Sequence, residues 1–545
     1  MNIPLNHFCP EIIMIVAACI VALVGVAKSD AVRRSAQWIS LISLILAFIA
    51  GWRIGMVDAG PAWPLASFCT YDTLLASGIG IILVLLSWDM PFAMDPAKSD
   101  QAFRGEYFAM MLVSLAGVSM MAKVDNLIWL FIALELVSIP TYIMVATGRS
   151  NPTAQEAGIK YFFLGSLSAA VYLFGFSYLY GFSGSTDFSK IASAFAAAPQ
   201  LPYIAIIGLL MVAIGIAYKI AAVPLHYYAP DVYQGTATPV TAFLSFAPKA
   251  AGFIALILVF NLTGWRLSHG AARAVPDLLM VMAVLSMTIG NVLALLQRNI
   301  KRMLAYSSIS HSGYMLVGLA VGPLLISHST TNGISAMLFY LGAYSVMTVG
   351  AFAVLVYLQG KLDAAEDLDD IAGIASEHPL AAACMAVCML SLIGMPFTVG
   401  FLGKLFIVQA AFSSGHGALA VIVMINAAIA AAYYLSVITS MYLRDPWTPF
   451  TVRRPGAIQF SAAIAAALVI LLGIFPSVLM SISRYSGSEV TKMVVVNNSQ
   501  TPAVSKITAG MAPPISVARS RSTPPTISHS TPLASTHTRV AAAAL

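Results

Sequence analysis

The sequence predicts an all-α polytopic membrane protein with about fourteen transmembrane helices. Three observations carry that expectation. Of 545 residues, 59% are hydrophobic and only 9% charged, where a soluble domain is nearer a quarter charged. Apolar runs long enough to cross a ~30 Å hydrocarbon core recur along the chain with short polar breaks. A few ionisable residues sit inside those runs, where a charge costs roughly 2.5–3.5 kcal/mol or more and so marks a functional site.

Taken in order, the runs predict spans over 11–27, 36–56, 68–88, 105–122, 125–147, 158–182, 202–226, 238–262, 275–297, 303–322, 333–358, 379–413, 417–443 and 457–482. No basic residue precedes the first run and no small-residue cleavage site follows it, so it reads as a span and not a signal peptide. Pro224, Pro230, Pro239 and Pro248 punctuate the stretch from Gly215 to Gly252 that covers the seventh and eighth spans and the loop between them, and each removes a backbone donor. The run 379–413 would extend roughly 50 Å as one helix, too far for a single straight span. Gly394, Pro396 and Gly400 divide it. Broken helices in corresponding halves mark ion paths in repeat-built transporters. If spans four to eight repeat as nine to thirteen, the broken seventh and twelfth correspond, and so do Lys219 and Lys404.

The organisation expected is therefore spans one to three in 1–104, four to eight in 105–262, nine to thirteen in 275–443, and the last span in 457–485. A Ser/Thr/Pro-rich tail over 494–545 is too polar to build a core and reads as disordered. Lys28, Arg33, Arg34, Lys98, Arg104, Arg149, Lys160, Arg298, Lys301, Arg302, Lys361, Arg444, Arg453 and Arg454 follow odd-numbered spans. Only Arg53, Lys123, Lys190, Arg266 and Arg273 follow even-numbered ones. The excess belongs in the cytoplasm, which puts both termini outside.

Glu135, in DNLIWLFIALELVSIPTYIMV, is the one acidic residue expected deep within a span, and Lys219, Lys249 and Lys404 are the lysines expected there. Each alone is a costly orphan, so Glu135 is expected to face a lysine of the seventh span. With the carboxylate close, the Lys219 ammonium is favoured. With it withdrawn, desolvation favours the neutral amine and the proton passes to Lys249. His311, among Ser307, Ser308 and Ser310, and His226, after Pro224, are candidate relays because imidazole titrates near neutrality. Asn426 reads as packing glue between spans. The acidic segment 363–373 reads as a solvated face.

Other chemistry is not supported. The five cysteines contain no CxxC, and most fall in or beside apolar runs as small hydrophobes. No haem or iron–sulfur ligand pattern, phosphate loop, dinucleotide fingerprint or metal spacing stands out. The chain shows no basic face for nucleic acid, and its apolar runs place it in the lipid bilayer.

The stretches LELVSIPTY, YKIAAVPLHYYAPDVYQGTATPVTAFLSFAPKAAGF, NIKRMLAYSSISHSGY and GMPFTVGFLGK resemble the antiporter-like membrane subunits of proton-pumping NADH:quinone oxidoreductase, with the subunit N branch nearest. The resemblance covers roughly 1–485 and implies two inverted five-helix repeats with broken helices seven and twelve. It implies proton translocation through Glu135, Lys219, Lys249 and Lys404, with quinone, FMN and iron–sulfur clusters held by partner membrane and peripheral subunits. It places the chain in a bacterial inner membrane. The chain alone is not expected to transfer electrons. A subunit of an Mrp-type cation/proton antiporter is the alternative. The tail departs from the family pattern.

Overall fold

A computed structural model describes residues 5–57, 65–88, 104–149, 152–265, 267, 270–322, 332–359, 366–445 and 456–499. The tail expected after 499 lies outside these residues, as do Lys98, Arg266, Lys361, Arg453 and Arg454. Nineteen α-helices account for almost all of what is described.

The N-terminal group is α1 (Cys9–Gly25), α2 (Asp30–Val57) and α3 (Ala66–Leu86). Then come α4 (Arg104–Met121), α5 (Leu127–Thr147), α6 (Pro152–Ser183), the short α7 (Phe188–Ala197), α8 (Tyr203–Lys219), α9 (Tyr228–Gly235) and α10 (Thr238–Asn261). The C-terminal part holds α11 (Ala274–Leu295), α12 (Ile300–Val321), α13 (Gly333–Leu358), the one-turn α14 (Ile374–Glu377), α15 (Pro379–Ile393), α16 (Val399–Ser413), α17 (Gly417–Leu443), α18 (Gly456–Ile474) and α19 (Ser477–Ser499). Among the described residues, nine helices are long and apolar enough to cross a membrane and five shorter ones are similarly apolar. The chain is a multi-pass, all-helical membrane protein.

Two helices form the axis. α10 and α13 pack against each other and are buried all round, which explains why they are apolar on every face. Most of the others keep an outward apolar stripe, such as Trp38, Ile42, Ile45, Leu46 and Ile49 on α2. α12 is the exception in composition. It carries Lys301, four serines and His311, all buried in the bundle, so its polar atoms must find partners inside the protein.

Local sequence explains the ends. Asn126, Asn299 and Asn332 each accept a backbone N–H of the first turn, at Trp129, Arg302 and Ser335, as N-cap asparagines do. α8 and α15 end in the same way. Ala222 N–H reaches Ala217 O (2.8 Å) and Ala221 N–H reaches Tyr218 O (2.9 Å); Met395 N–H reaches Leu390 O and Gly394 N–H reaches Ser391 O, both at 3.0 Å. This is the paired bonding that closes a helix on a left-handed residue. Gly394 holds φ +92° without penalty, whereas Ala221 holds +54° at a cost of about 1 kcal/mol or more.

Several expectations need correction. The seventh span is not helical through 202–226: α8 stops at Lys219 itself, so the helix breaks at the lysine, before Pro224 is reached. The last span divides at Phe475-Pro476, and α19 runs through Ser499, so its helix extends past 485 and into the segment expected to be disordered from 494. α7 was not expected. Glu135 is not the sole buried acid, since Glu11 in α1 and Asp72 in α3 are more deeply buried. Lys123 and Lys301 are buried too. Cys19 is exposed on α1.

The acidic segment is not simply solvated. Residues 363–365 lie outside the described chain, but Glu366 pairs with Lys301 (2.8 Å) and Arg149 (2.9 Å). Burial pushes its carboxyl up, and the two cations outweigh that and hold it below the ordinary glutamate range. A depressed carboxylate contributes stability that is present above its unfolded pKa and is lost as pH falls through the folded value. Thermal unfolding should therefore show this contribution intact above about pH 4.3 and fading below it. Glu366→Gln should remove that step and destabilise by about 3 kcal/mol, because Lys301 keeps its charge in a buried position.

Candidate functional site

The polar residues expected within spans converge on the interior beside α10 and α13. Glu135 lies eight residues past Leu127, and Lys249 and His311 each lie eleven residues past the starts of α10 and α12. At 1.5 Å per residue these depths are about 12, 16 and 16 Å, near the middle of a ~30 Å core.

Glu135 and Lys219 meet. Lys219 Nζ is 3.4 Å from Glu135 Oε1, donates to Ser138 Oγ, and stands over the Tyr172 ring at 5.3 Å. Tyr172 donates its hydroxyl to Glu135 Oε1 at 2.5 Å. The glutamate side chain is 18% exposed and the lysine 4%, so the carboxylate occupies the rim of the bundle and the ammonium its interior.

The break after α8 carries the connection inward. Its last carbonyls have no helical partner. Tyr228 donates its hydroxyl to Tyr218 O (2.8 Å) and Ser312 donates to Ile220 O (2.5 Å). Ser312 Oγ is also 2.6 Å from Lys249 Nζ, which donates to Ser308 O as well. One serine hydroxyl therefore spans from the broken helix of Lys219 to Lys249. No described carboxylate pairs with Lys249; backbone oxygen, hydroxyl and the Tyr344 face at 5.4 Å surround it.

Beyond Lys249 the contacts are aromatic hydroxyls. Tyr344 donates to Ser308 Oγ at 2.9 Å. His311 bonds Tyr340 Oη through Nδ1 (2.7 Å) and Tyr434 Oη through Nε2 (3.0 Å). Its two ring nitrogens thus bridge α13 and α17. Lys404 reaches back from α16 across the second break and donates to Leu392 O and Ile393 O, both at 2.8 Å. Those are orphaned carbonyls at the negative end of a half-helix, a favourable seat for a cation. Tyr314 lies under the Lys404 ammonium at 5.1 Å and edge-on to His311.

His226 is not brought into this row. It lies half-buried in the turn after Pro224, and its buried Nδ1 has no hydrogen-bond partner among the described residues. Asn426 joins α17 to α11 through Asn291, whose amide donates to Asn426 O (3.0 Å) and Oδ1 (3.2 Å). Tyr172, Tyr344, Tyr340, Tyr434 and Tyr314, together with Ser138 and Ser312, were not expected at the site. Their signal was present in principle, since a hydroxyl in mid-span must find a buried partner.

A row of ionisable side chains at mid-depth, seated at two helix breaks in an all-helical bundle, defines the class of antiporter-like ion-translocating membrane subunits. Residues 124–430 match the family described as NADH:quinone oxidoreductase/Mrp antiporter, transmembrane region. NADH-quinone oxidoreductase subunit N 1 of Solibacter usitatus is 36% identical over 88% of this chain and 97% of its own length. The subunit N of Trichlorobacter lovleyi is also 36% identical, over 89% and 97%. A chain of respiratory complex I from Thermus thermophilus, solved with bound aureothin, shares 29% identity over 87% of this chain and 98% of its own, with a TM-score of 0.71. A chain of the Mrp complex from Dietzia sp. aligns with TM-score 0.75 over 91% and 99% at 17% identity, a likeness of fold. The chain belongs to the NADH-quinone oxidoreductase subunit N family.

Proposed function

We propose that this chain is the proton-translocating subunit N of a bacterial NADH:quinone oxidoreductase, and that Glu135, Lys219, Lys249 and Lys404 carry the proton, with His311 as relay. The observation that carries the reading is the Glu135–Lys219 pair, 3.4 Å apart at a helix break. At an effective dielectric near 20, two charges ~4 Å apart attract by about 4 kcal/mol. Moving one proton against 100 mV takes about 2.3 kcal/mol. Making and breaking this one contact is therefore large enough to drive a transfer.

The cycle follows from the contacts. Glu135 beside Lys219 holds the ammonium. When the carboxylate turns away, the buried amine sheds its proton toward Ser312 and Lys249, and His311 links that position to Lys404. His226 has no part in this route. NADH, FMN, iron–sulfur and quinone chemistry belongs to partner membrane and peripheral subunits, and the chain alone does not transfer electrons. The Mrp reading is not favoured, because that likeness is one of fold.

Fourteen spans, ten of them in two inverted five-helix repeats over 105–262 and 275–443, are part of the same proposal. Two features support the repeats. Asn126 bridges Asp187 and Asn299 bridges Asp367, each joining a helix start to the loop after the next helix. The two broken helices also share one terminating motif. Counted this way, α8 with α9, and α15 with α16, each make one span. Both termini are periplasmic in this arrangement.

Purification tests the function: the chain should co-isolate with flavin and iron–sulfur subunits in a preparation that oxidises NADH with quinone. Isolation with cation/proton antiporter subunits and no such oxidation would overturn it. For sidedness, an impermeant thiol reagent added outside should label a cysteine placed at Lys190 and miss one at Arg298. The reverse pattern would invert the topology.

A further inference from the structure

A second group of buried charges lies away from the lysine row, where the N-terminal ends of α1 and α3 meet the end of α4. Glu11 and Lys123 form an ion pair of 2.5 Å with both side chains only 4% exposed. Ser119 also donates to Glu11 Oε1 and lies 3.0 Å from Thr73 Oγ1. Asp72, fully buried, accepts only the Ala122 N–H, at 3.2 Å through Oδ2. Asp72 Oδ1 and Glu11 Oε2 are buried with no hydrogen-bond partner.

The neighbours do not repair this. Cys69 Sγ points to Ala122 O (3.1 Å), and Tyr71 donates away, to Leu338 O (2.6 Å). Glu489, from α19, is occupied by the Ser67 and Phe68 N–H groups at the start of α3. The His7 carbonyl accepts from Lys123 at 3.0 Å. The carboxylates of Glu11 and Asp72 face the one ammonium of Lys123, and one buried oxygen of each lacks a donor. An uncompensated buried charge of that kind is costly.

We propose that Asp72, Glu11 and Lys123 form a proton-binding site, in which one proton is held on the two carboxylates. One added proton removes the net charge and turns an orphaned acceptor into a donor. A metal cation fits less well, because Lys123 already occupies the Glu11 side of the cluster. On the orientation proposed above, the site lies at the periplasmic end and holds a proton before its release. That role rests on the orientation; the binding of the proton does not.

Infrared difference spectra of the intact complex over a pH titration test it. A protonated-carboxyl band should be present at neutral pH, be lost in Asp72→Asn or Glu11→Gln, and be displaced but retained in Asp72→Glu. If Asp72→Asn does not assemble, Glu11→Gln and Asp72→Glu carry the same distinction. Glu135→Gln should keep the band, which separates this site from any failure of the lysine row. A spectrum unchanged in both Asp72→Glu and Glu11→Gln overturns the proposal. So does a band that sodium displaces at fixed pH, which would make the ligand a metal cation.

Discussion

Lys219→Ala is expected to lower proton pumping by at least ~tenfold while the complex still assembles. A tenfold change needs a loss of only about 1.36 kcal/mol of differential interaction, less than the ~4 kcal/mol assigned to the Glu135–Lys219 contact. The substitution removes the only described ammonium beside Glu135, while Tyr172 still donates to the carboxylate, so the glutamate keeps a partner and the fold survives. Glu135→Gln should do the same from the other side, leaving Lys219 its bond to Ser138. Tyr172→Phe should have a smaller effect, because it keeps both charges. Proteoliposomes oxidising NADH, with internal acidification followed beside the oxidation rate, give the measurement. Normal pumping in either charge variant would remove the pair from the mechanism.

The second large effect belongs to the other break. Gly400→Val should prevent the protein from accumulating in the membrane. A Cβ at Gly400 would run into the Ser391 carbonyl oxygen and stand 2.8 Å from Met347 Sδ. The first of these is backbone and cannot turn aside. Overpacking of this kind costs up to about 3 kcal/mol and occasionally more, a large part of a typical stability margin of ~5–15 kcal/mol. The same close approach lets the start of α16 lie against the end of α15, with Gly400 N–H on Ser391 Oγ (3.1 Å) and Lys404 reaching Leu392 O and Ile393 O. Any variant that folds should therefore also misplace Lys404. Gly456→Val is the control, because nothing lies within 4 Å of a Cβ there. Equal yields of the two variants would mean that the break is not packed as described.

Much of this molecule was legible in the chain. Periodic apolar runs placed nearly every helix, and the overlong 379–413 segment had to break where Gly394 and Pro396 stand. Glu135, Lys219, Lys249, Lys404 and His311 stood out because charge or imidazole within an apolar run is rare and costly. The first break was placed less well. Pro224 was the visible signal, yet α8 ends at Lys219 because Ala221 adopts the left-handed conformation, and alanine carries no sequence sign of that. Glu11 and Asp72 were missed because each lies close to the start of its run, where a carboxylate is cheaply read as interfacial. Their burial comes from Lys123 and Ser119, which belong to other helices.

The sequence alone determined that this is a multi-pass helical membrane protein of the antiporter-like class, and it singled out Glu135, Lys219, Lys249, Lys404 and His311 within the apolar runs. Hydrophobic length and the cost of buried charge are properties of single segments, so one chain read in order reveals them. The pairing of Glu135 with a lysine of the seventh span was legible too; the tertiary structure alone decided what else each charge touches. It added Tyr172 and Ser138 to that pair, joined Lys219 to Lys249 through Ser312, seated Lys404 on the carbonyls of a broken helix, and left His226 aside. Those contacts depend on distances of about 3 Å between residues up to scores of positions apart, and only packing of the helices brings such groups within hydrogen-bonding reach.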